Sequence, residues 1–289
     1  MRPWRRAARP FVEAAQPDIV HGQNVITGGV VAADAASLAR TIVTARGNAR
    51  RDTLAAYSGV PARIRAAVGD RLIRHVLDRV DMVVGVHPDW RVNLPAEPRR
   101  LTHIPNIVHG AFFRVERSPV AGRVLYCGGA RRIKGFDVLE AAWSHVRAAV
   151  PGASLRLVGW PASAPAPDAA ETVGPVGAEQ LADELARAHV LVIPSRYEVS
   201  PILLAEAWAS GTPVIATSAG GMASLAPGAA LVVPPDNVTA LADAVVAVLE
   251  QTVDTTENVS VGRARAEAHQ EENVVAAHLE LYDDVLRSP

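Results

Sequence analysis

Short apolar runs alternate with segments of helical periodicity along most of the chain. In the first part, the apolar runs that predict buried strands are 18–21, 41–44 and 82–86, and the helical patterns lie at about 29–40 and 61–79. Each run is short and is followed by a helix, which is the order that a parallel sheet covered on both faces requires. We therefore predict an α/β fold built from βαβ units.

The same pattern starts again after prolines and a predicted linker at 111–122. Strands are predicted at 123–127, 154–158, 190–193, 213–216 and 230–233. Helices are predicted at about 135–149, 178–188, 201–210, 238–250 and 262–286. This order indicates a doubly wound sheet whose ligand lies at the carboxyl ends of the strands. The predicted domains are 1–110, 111–261 and a carboxyl-terminal helical segment, 262–289, that packs back toward the first domain.

The composition is that of a globular protein with a sizeable core. The chain has 289 residues, of which 49% are hydrophobic and 20% charged, so disorder is excluded. No apolar run approaches the roughly 18 residues that span a bilayer, and the basic first ten residues lack the apolar segment of a signal peptide. We therefore expect a cytoplasmic protein. The single cysteine, Cys127, excludes an internal disulfide and is expected to be a buried, inert thiol.

The charges are divided unevenly along the chain. Residues 1–110 hold 16 Arg and no Lys against 9 acidic residues, whereas residues 111–289 hold 13 basic against 21 acidic residues. Solvated arginine-rich helices are the favoured explanation, and peripheral contact with the inner membrane surface, or with an anionic acceptor, is the alternative. Nucleic acid is excluded as a partner because only 4% of the residues are aromatic and no basic stretch is interleaved with them.

Lys134 is the one lysine in a chain that otherwise uses arginine. It follows the Gly128–Gly129 turn and the pair Arg131 and Arg132, at the point where a strand gives way to a helix. Helix amides and clustered cations favour phosphate, so this segment predicts a phosphate site; a solvated lysine at a turn is the alternative. The glycine spacing fits neither a dinucleotide fingerprint nor a P-loop, which argues against a dinucleotide-dependent oxidoreductase.

Two carboxylates bracket the start of a predicted helix. Ser200 and Pro201 suit the N-cap and first helical position, so Glu198 falls in the loop and Glu206 in the second helical turn. Carboxylates accept hydrogen bonds from paired hydroxyls, as in a sugar or a ribose; an ordinary exposed helix glutamate is the alternative for Glu206. Gly220–Gly221 follows the next strand and permits a close backbone approach. The nine histidines show no metal-ligand spacing, so no metal is expected.

Taken together, these motifs resemble the retaining, sugar-nucleotide-dependent glycosyltransferases of family 4 (group 1), whose GT-B fold has two Rossmann-like domains. The resemblance runs from about residue 17 to the end and is most specific at Glu198 and Glu206, which match a Glu-x7-Glu motif. By this comparison the chain lacks the first part of the amino-terminal domain. An incomplete sheet would expose an edge, so self-association is also expected.

The resemblance implies roles for individual residues. Lys134 would neutralise a donor pyrophosphate, Glu206 would bind ribose hydroxyls and Glu198 would hold the transferred sugar, with Lys134 and Glu198 as catalytic residues. The rest of the implied donor site comprises Gly128, Gly129, Arg131, Arg132, Gly174, Ser195, Val199, Ser200, Pro201, Ile202, Gly220 and Gly221. The implied acceptor side comprises His21, Gln23 and Arg46, where Gln23 and Arg46 replace the histidines that are usual in the family.

The implied reaction moves a sugar from a donor such as a UDP- or GDP-sugar to the hydroxyl of an unidentified acceptor, with retention of configuration. No cofactor or metal is expected. Two alternatives use the same donor architecture: a non-catalytic nucleotide-sugar-binding or accessory protein, and an epimerase with the GT-B fold.

Overall fold

A computed structural model describes residues 2–47, 59–89, 94–164 and 170–288. The chain divides into two units. The first unit consists of Met1–Asn106 and Val274–Pro289, and the second consists of Ile107–Asn273. Relative to the predicted domains, the main difference is that residues 262–273 fall in the second unit.

Ten strands and eleven α-helices lie within the described residues. The strands are β1 Ile19–Gln23, β2 Arg40–Ala45, β3 Met82–Gly85, β4 Leu101–His103, β5 Arg123–Cys127, β6 Ser154–Val158, β7 Ala170–Val173, β8 Val190–Ile193, β9 Val214–Thr217 and β10 Leu231–Val233. The helices are α1 Arg2–Ala15, α2 Gly29–Asp34, α3 Gly59–Leu77, α4 Ala111–Arg114, α5 Phe136–Ala149, α6 Ala178–Arg187, α7 Ile202–Ala209, α8 Met222–Leu225, α9 Val238–Leu249, α10 Thr256–Ala266 and α11 Glu271–Arg287. None of these helices is long and apolar enough to cross a membrane.

The first unit is built on a four-stranded parallel sheet. The strand order is β1-β2-β3-β4, so β1 and β4 form its edges. The central strands are buried on both faces, as in a sheet covered on both sides. One face packs against α11, in a core formed by Ile42, Met82, Val84, Ile104, Val274, Leu281 and Val285.

The second unit is a doubly wound sheet of six parallel strands in the order β10-β9-β8-β5-β6-β7. Helices α5 and α9 cover one face, where Leu139 and Leu241 are buried, and α6 and α7 cover the other, where Leu185 and Leu204 are buried. The chain winds outward in opposite directions from β5 and β8. Their carboxyl ends therefore splay apart into the crevice where ligands of such sheets bind.

Several elements differ from the sequence-based prediction. The strands β4 and β7 were not predicted, because both are short strands at a sheet edge and lack an apolar run. The helix α1 was not predicted either. The single helix predicted at 262–286 is wrong: it is two helices, α10 and α11, since the backbone is extended at Gln270 (φ −62°, ψ 144°). The helix predicted at 29–40 is shorter in the structure: α2 ends at Asp34, and β2 already begins at Arg40.

Candidate functional site

A small cavity of about 110 Å³ lies at the crevice between the carboxyl ends of β5 and β8. It is lined by Tyr126, Cys127, Lys134, Ile193, Pro194, Ser195, Glu198, Pro201, Ile202 and Leu203. The position agrees with the ligand site expected for a sheet that winds in both directions from these two strands.

The loop after β5 is shaped so that Lys134 reaches this cavity. Gly129 adopts a positive φ of 63°, and the hydroxyl of Tyr126 donates to its carbonyl at 2.9 Å. A single 3₁₀ turn carries the lysine, and Gly135 follows with φ 70°. A Cβ on Gly135 would lie 1.9 Å from the carbonyl oxygen of Pro194, so only glycine lets the loop lie this close to the end of β8.

Lys134 and Glu198 form an ion pair in the cavity wall. The Lys134 Nζ lies 2.6 Å from Glu198 Oε1, and the two side chains are 25% and 12% exposed. The buried hydroxyl of Ser195 donates to the same oxygen at 2.8 Å. The Ser195 carbonyl in turn accepts the hydroxyl of Thr217 at 2.5 Å, which ties the site to the end of β9. The pair is therefore held in place from two strands.

Glu206 lies in the second turn of α7, among apolar neighbours. Burial raises the pKa of its carboxyl group to about 7. Among the residues that the structure describes, none hydrogen-bonds to this carboxylate or pairs with it. The side chain is half-buried. A partly desolvated carboxylate without a protein partner costs folding free energy, so the position suits an external hydrogen-bond donor.

The N-cap predicted for α7 is wrong by one residue. Pro201, with φ −69° and ψ 120°, is the N-cap, the helix begins at Ile202, and no side chain caps it. The predicted cap, Ser200, stays in the preceding loop because Pro201 is itself extended. The first amides of α7 are consequently not satisfied by a capping side chain and are available to a ligand.

The Gly220–Gly221 turn packs on the loop that carries Glu198. The amide of Gly221 donates to the Glu198 carbonyl at 2.8 Å. Gly220 has φ 62°, and a Cβ there would lie 2.2 Å from the same oxygen. The close backbone approach expected of these glycines is thus made to Glu198.

The other residues of the implied donor site surround this cluster to different extents. Gly128 lies beside Lys134, since a Cβ on it would be 3.3 Å from the lysine Cβ. Arg131 and Arg132 are exposed on the lysine turn, and Val199 is half-buried beside Glu198. Gly174 is not part of the cavity wall. It follows the edge strand β7, where its carbonyl accepts the amide of Gly159 at 3.2 Å.

Arg196 is a supporting residue that the sequence analysis did not identify. Its guanidinium donates to both carboxylate oxygens of Asp137 at 2.7 Å each, and to Asp236 at 2.6 Å. Its amide donates to the carbonyl of Ile133 at 2.9 Å. These bonds raise the pKa of Arg196 and lower that of Asp137. Arg196 therefore joins the loop that carries Lys134 to the loop that carries Glu198. In the sequence, its position two residues before Glu198 was the one sign that it belongs to the site.

In the first unit, the implied acceptor residues gather at the carboxyl ends of β1 and β2. Arg46 donates to the side-chain oxygen of Gln23 at 3.1 Å and to that of Asn106 at 3.2 Å. Both partners are neutral amides, and none of the described carboxylates pairs with Arg46. The guanidinium therefore keeps an uncompensated charge.

His21 lies behind this arginine in a partly buried setting. Its Nε2 is 2.7 Å from the Thr44 hydroxyl, and its Nδ1 is 2.9 Å from the hydroxyl of Tyr282. Burial, together with the nearby charges of His278 and Arg46, lowers the pKa of His21 to about 4. The ring is neutral near pH 7. Tyr282 and His278 could not be identified beforehand because they are more than 250 residues away along the chain.

The remaining predicted chemistry concerns Cys127 and metals. Cys127 lines the cavity and packs against the core, so it is half-buried and not fully buried as predicted. Burial raises the pKa of its thiol, which disfavours the reactive thiolate. Within the part of the chain that the structure describes, no three His, Cys, Asp or Glu side chains are grouped so that they could hold a metal ion.

Comparison with known proteins agrees with this architecture. Residues 121–251 match the sequence model of the family described as Glycosyl transferases group 1. A D-inositol 3-phosphate glycosyltransferase of Nocardioides sp. is 28% identical over 257 residues, which cover 74% of this chain and 56% of that protein. A D-inositol 3-phosphate glycosyltransferase of Rhodococcus opacus is 30% identical over 177 residues, which cover 54% of this chain and 40% of that protein. The chain thus spans about half the length of these curated relatives.

Solved structures show the same fold at low identity. Sucrose-phosphate synthase from Thermosynechococcus elongatus has a TM-score of 0.79 and 22% identity, over 98% of this chain and 77% of that one. The Anabaena protein HepE in complex with UDP has a TM-score of 0.78 and 14% identity, over 96% and 82%. Residues 121–251, a little under half of the chain, thus match the model of the group 1 glycosyltransferases. The predicted fold is confirmed: the chain has the GT-B fold.

Proposed function

We propose that the chain is a retaining, family 4 type transferase, which moves a hexosyl group from a nucleoside-diphosphate sugar to a hydroxyl. The observation that carries the proposal is the cluster at the β5–β8 crevice. There, Lys134 is paired with Glu198. Glu206 is half-buried in the helix that follows, α7, where none of the described residues pairs with it. A nucleotide sugar supplies what this cluster lacks, namely phosphate oxygens for the cation and hydroxyl donors for the carboxylates. UDP, present in solved neighbours, is the first nucleotide to test.

Lys134 is suited to the diphosphate because its ammonium group has three N–H donors. One of them engages Glu198, which leaves two for phosphate oxygens. Arg131 and Arg132 add positive charge from the same turn. A fixed cation beside helix amides stabilises the negative charge that develops on the leaving diphosphate, so we propose that no metal ion is required.

The two glutamates divide the hydroxyl groups of the donor between them. Both the Lys134 ammonium and the Ser195 hydroxyl bond to Oε1 of Glu198, so Oε2 remains to accept a hydroxyl of the transferred sugar. Glu206 accepts the two ribose hydroxyls. Their hydrogen bonds offset the desolvation of this carboxylate and favour its ionised form.

In the proposed reaction, the bond between the anomeric carbon and the diphosphate oxygen breaks, and its electron pair stays on the diphosphate. The acceptor oxygen bonds to the same carbon from the same face, so configuration is retained. The departing phosphate oxygen takes the acceptor proton. Glu198, the one carboxylate among the described residues that line the cavity, is engaged by Lys134, Ser195 and the proposed sugar hydroxyl, which leaves the phosphate oxygen to take this proton.

The acceptor is proposed to be a phosphorylated polyol. Several curated relatives are named D-inositol 3-phosphate glycosyltransferases. The exposed Arg46, held by two amide oxygens rather than by a carboxylate, supports binding of an anionic group. The neutral ring of His21 adds no charge of its own beside it.

The test is release of UDP or GDP from a panel of their sugar conjugates, with polyol phosphates as acceptors and NMR of the product for its anomeric configuration. We expect acceptor-dependent release with retention, and an increased KM for the acceptor in Arg46→Gln. Donor binding without release would favour the accessory-protein alternative. An inverted product would refute the proposed mechanism.

A further inference from the structure

The helix α3 of the first unit has an unusual outer face. Its inner face packs in the unit through Ala62, Ala66, Gly69, Ile73, Val76 and Leu77. On the outer face, Val60, Ile64 and Val68 are 67%, 59% and 51% exposed. Their spacing of four residues places them in one row, about 12 Å long at 1.5 Å per residue. Three aliphatic side chains in a row on a surface are not explained by the packing of the unit.

Arginines accompany this row on the solvent side of the helix. Arg63, Arg65, Arg71 and Arg74 are all exposed. At 100° per residue, Arg63 and Arg74 fall on one side of the row, Arg65 falls on the other, and Arg71 continues it. The one acidic residue of α3 is Asp70. We call Val60, Ile64, Val68 and these four arginines the α3 patch.

We propose that the α3 patch lies on an anionic phospholipid surface, with the aliphatic row buried at the boundary between headgroups and acyl chains. An interfacial helix combines a cationic face with an apolar face in this way. Long arginine side chains on both sides of the row can extend to lipid phosphates while their stems stay on apolar surface. The patch therefore complements both parts of an anionic membrane, and the proposal does not depend on the transferase reaction.

A protein partner is the less favoured occupant. Hot spots of protein interfaces are enriched in Trp, Tyr and Arg that fill pockets, and α3 supplies arginines but no Trp, Tyr or Phe to anchor them. A second copy of the chain offers one complementary surface, on the acidic helix α11, where Val275 and Leu279 are 42% and 60% exposed. Dimerisation through these faces is therefore the alternative that the experiment must separate from lipid binding.

The experiment is co-sedimentation of the whole chain with vesicles of phosphatidylcholine alone, or of phosphatidylcholine mixed with phosphatidylglycerol. We expect binding to the mixed vesicles alone, weakened by salt. The double variant Ile64→Ser, Val68→Ser and the double variant Arg71→Gln, Arg74→Gln should each lose about ten-fold or more of the partition. Leu279→Ser and Arg287→Gln, at sites 60% and 79% exposed on α11, are the matched controls and should bind as the wild type does.

Thermal unfolding of each variant shows whether it is folded. Failure of the folded wild type to bind mixed vesicles would overturn the proposal. So would an equal loss in the α11 controls. Sedimentation velocity tests the remaining alternative, dimerisation. If the wild type is a dimer that Ile64→Ser, Val68→Ser abolishes, and if the same variant still binds vesicles as the wild type does, the patch contacts a second copy of the chain and not lipid.

Discussion

Replacing Glu206 with glutamine should make the protein more stable and its nucleotide binding weaker. In the folded chain burial raises the pKa of this carboxyl group from 4.5 to about 7. Between these values the unfolded chain has released a proton that the folded chain still holds, so stability falls as pH rises through this window. At 1.36 kcal/mol per pKa unit, and allowing for partial exposure, the cost above pH 7 is roughly 2–3 kcal/mol.

The amide of Glu206→Gln has nearly the same shape and carries no charge to desolvate. Urea unfolding should therefore show the variant roughly 2–3 kcal/mol more stable than the wild type at about pH 8, with little difference near pH 4.5. The difference in unfolding free energy between the two proteins removes the contribution of every other titrating group, because those groups are the same in both. A constant difference across the pH range would refute the assigned burial of Glu206.

The same substitution tests the proposed ribose contact. An ionised carboxylate accepts hydroxyl hydrogen bonds more strongly than a neutral acid or an amide. UDP affinity of the wild type should therefore rise as pH increases through about 7, whereas the affinity of Glu206→Gln should be lower by about ten-fold at the upper end and nearly independent of pH. An unchanged affinity in the variant would place the ribose elsewhere.

Three further predictions concern the framework. NMR titration of His21, with the signal assigned by means of His21→Gln, should give a pKa of about 4. Because the unfolded chain takes up this proton first, the stability that His21 contributes is lost as pH falls from 6.5 to 4. A measured pKa near 6.5 would contradict its burial. Gly135→Ala should lower the free energy of unfolding by about 2–4 kcal/mol in thermal unfolding, because the added Cβ meets the carbonyl of Pro194. Gly152→Ala, where a Cβ would meet open space, is the control and should cost less than about 1 kcal/mol. Equal losses in the two variants would contradict the turn geometry. Arg196→Lys should lose the paired bonds to Asp137 and about 1–2 kcal/mol; a neutral result would show that the two loops do not depend on it.

The sequence was most informative where local rules decide the structure. Buried strands such as β5 and β8 are short apolar runs, so their positions were predicted directly. The glycines around Lys134 and the motif that contains Glu198 predicted that these two side chains lie at the carboxyl ends of the strands, where the structure has them. The edge strands β4 and β7 were missed because exposed strands need no apolar pattern.

Long-range contacts could not be predicted in the same way. The bond from His21 to Tyr282 depends on how α11 packs on the sheet, and no local pattern encodes that packing. Arg196 carries a motif position, yet its link to Asp137 and Asp236 depends on loops brought together by the fold. The state of Glu206 depends likewise on its neighbours, because burial and not residue type sets its pKa.

The most direct test of the donor site is calorimetric titration with UDP and GDP and with the corresponding nucleosides. The wild type should bind one diphosphate more tightly than its nucleoside. Lys134→Ala should lose that preference while keeping nucleoside affinity, and Glu206→Ala should weaken both ligands. Arg287→Gln, at an exposed position on α11, should behave as the wild type. A folded wild type that binds neither nucleotide, or a Lys134→Ala that keeps the full diphosphate preference, would contradict the assignment of the β5–β8 crevice as the donor site.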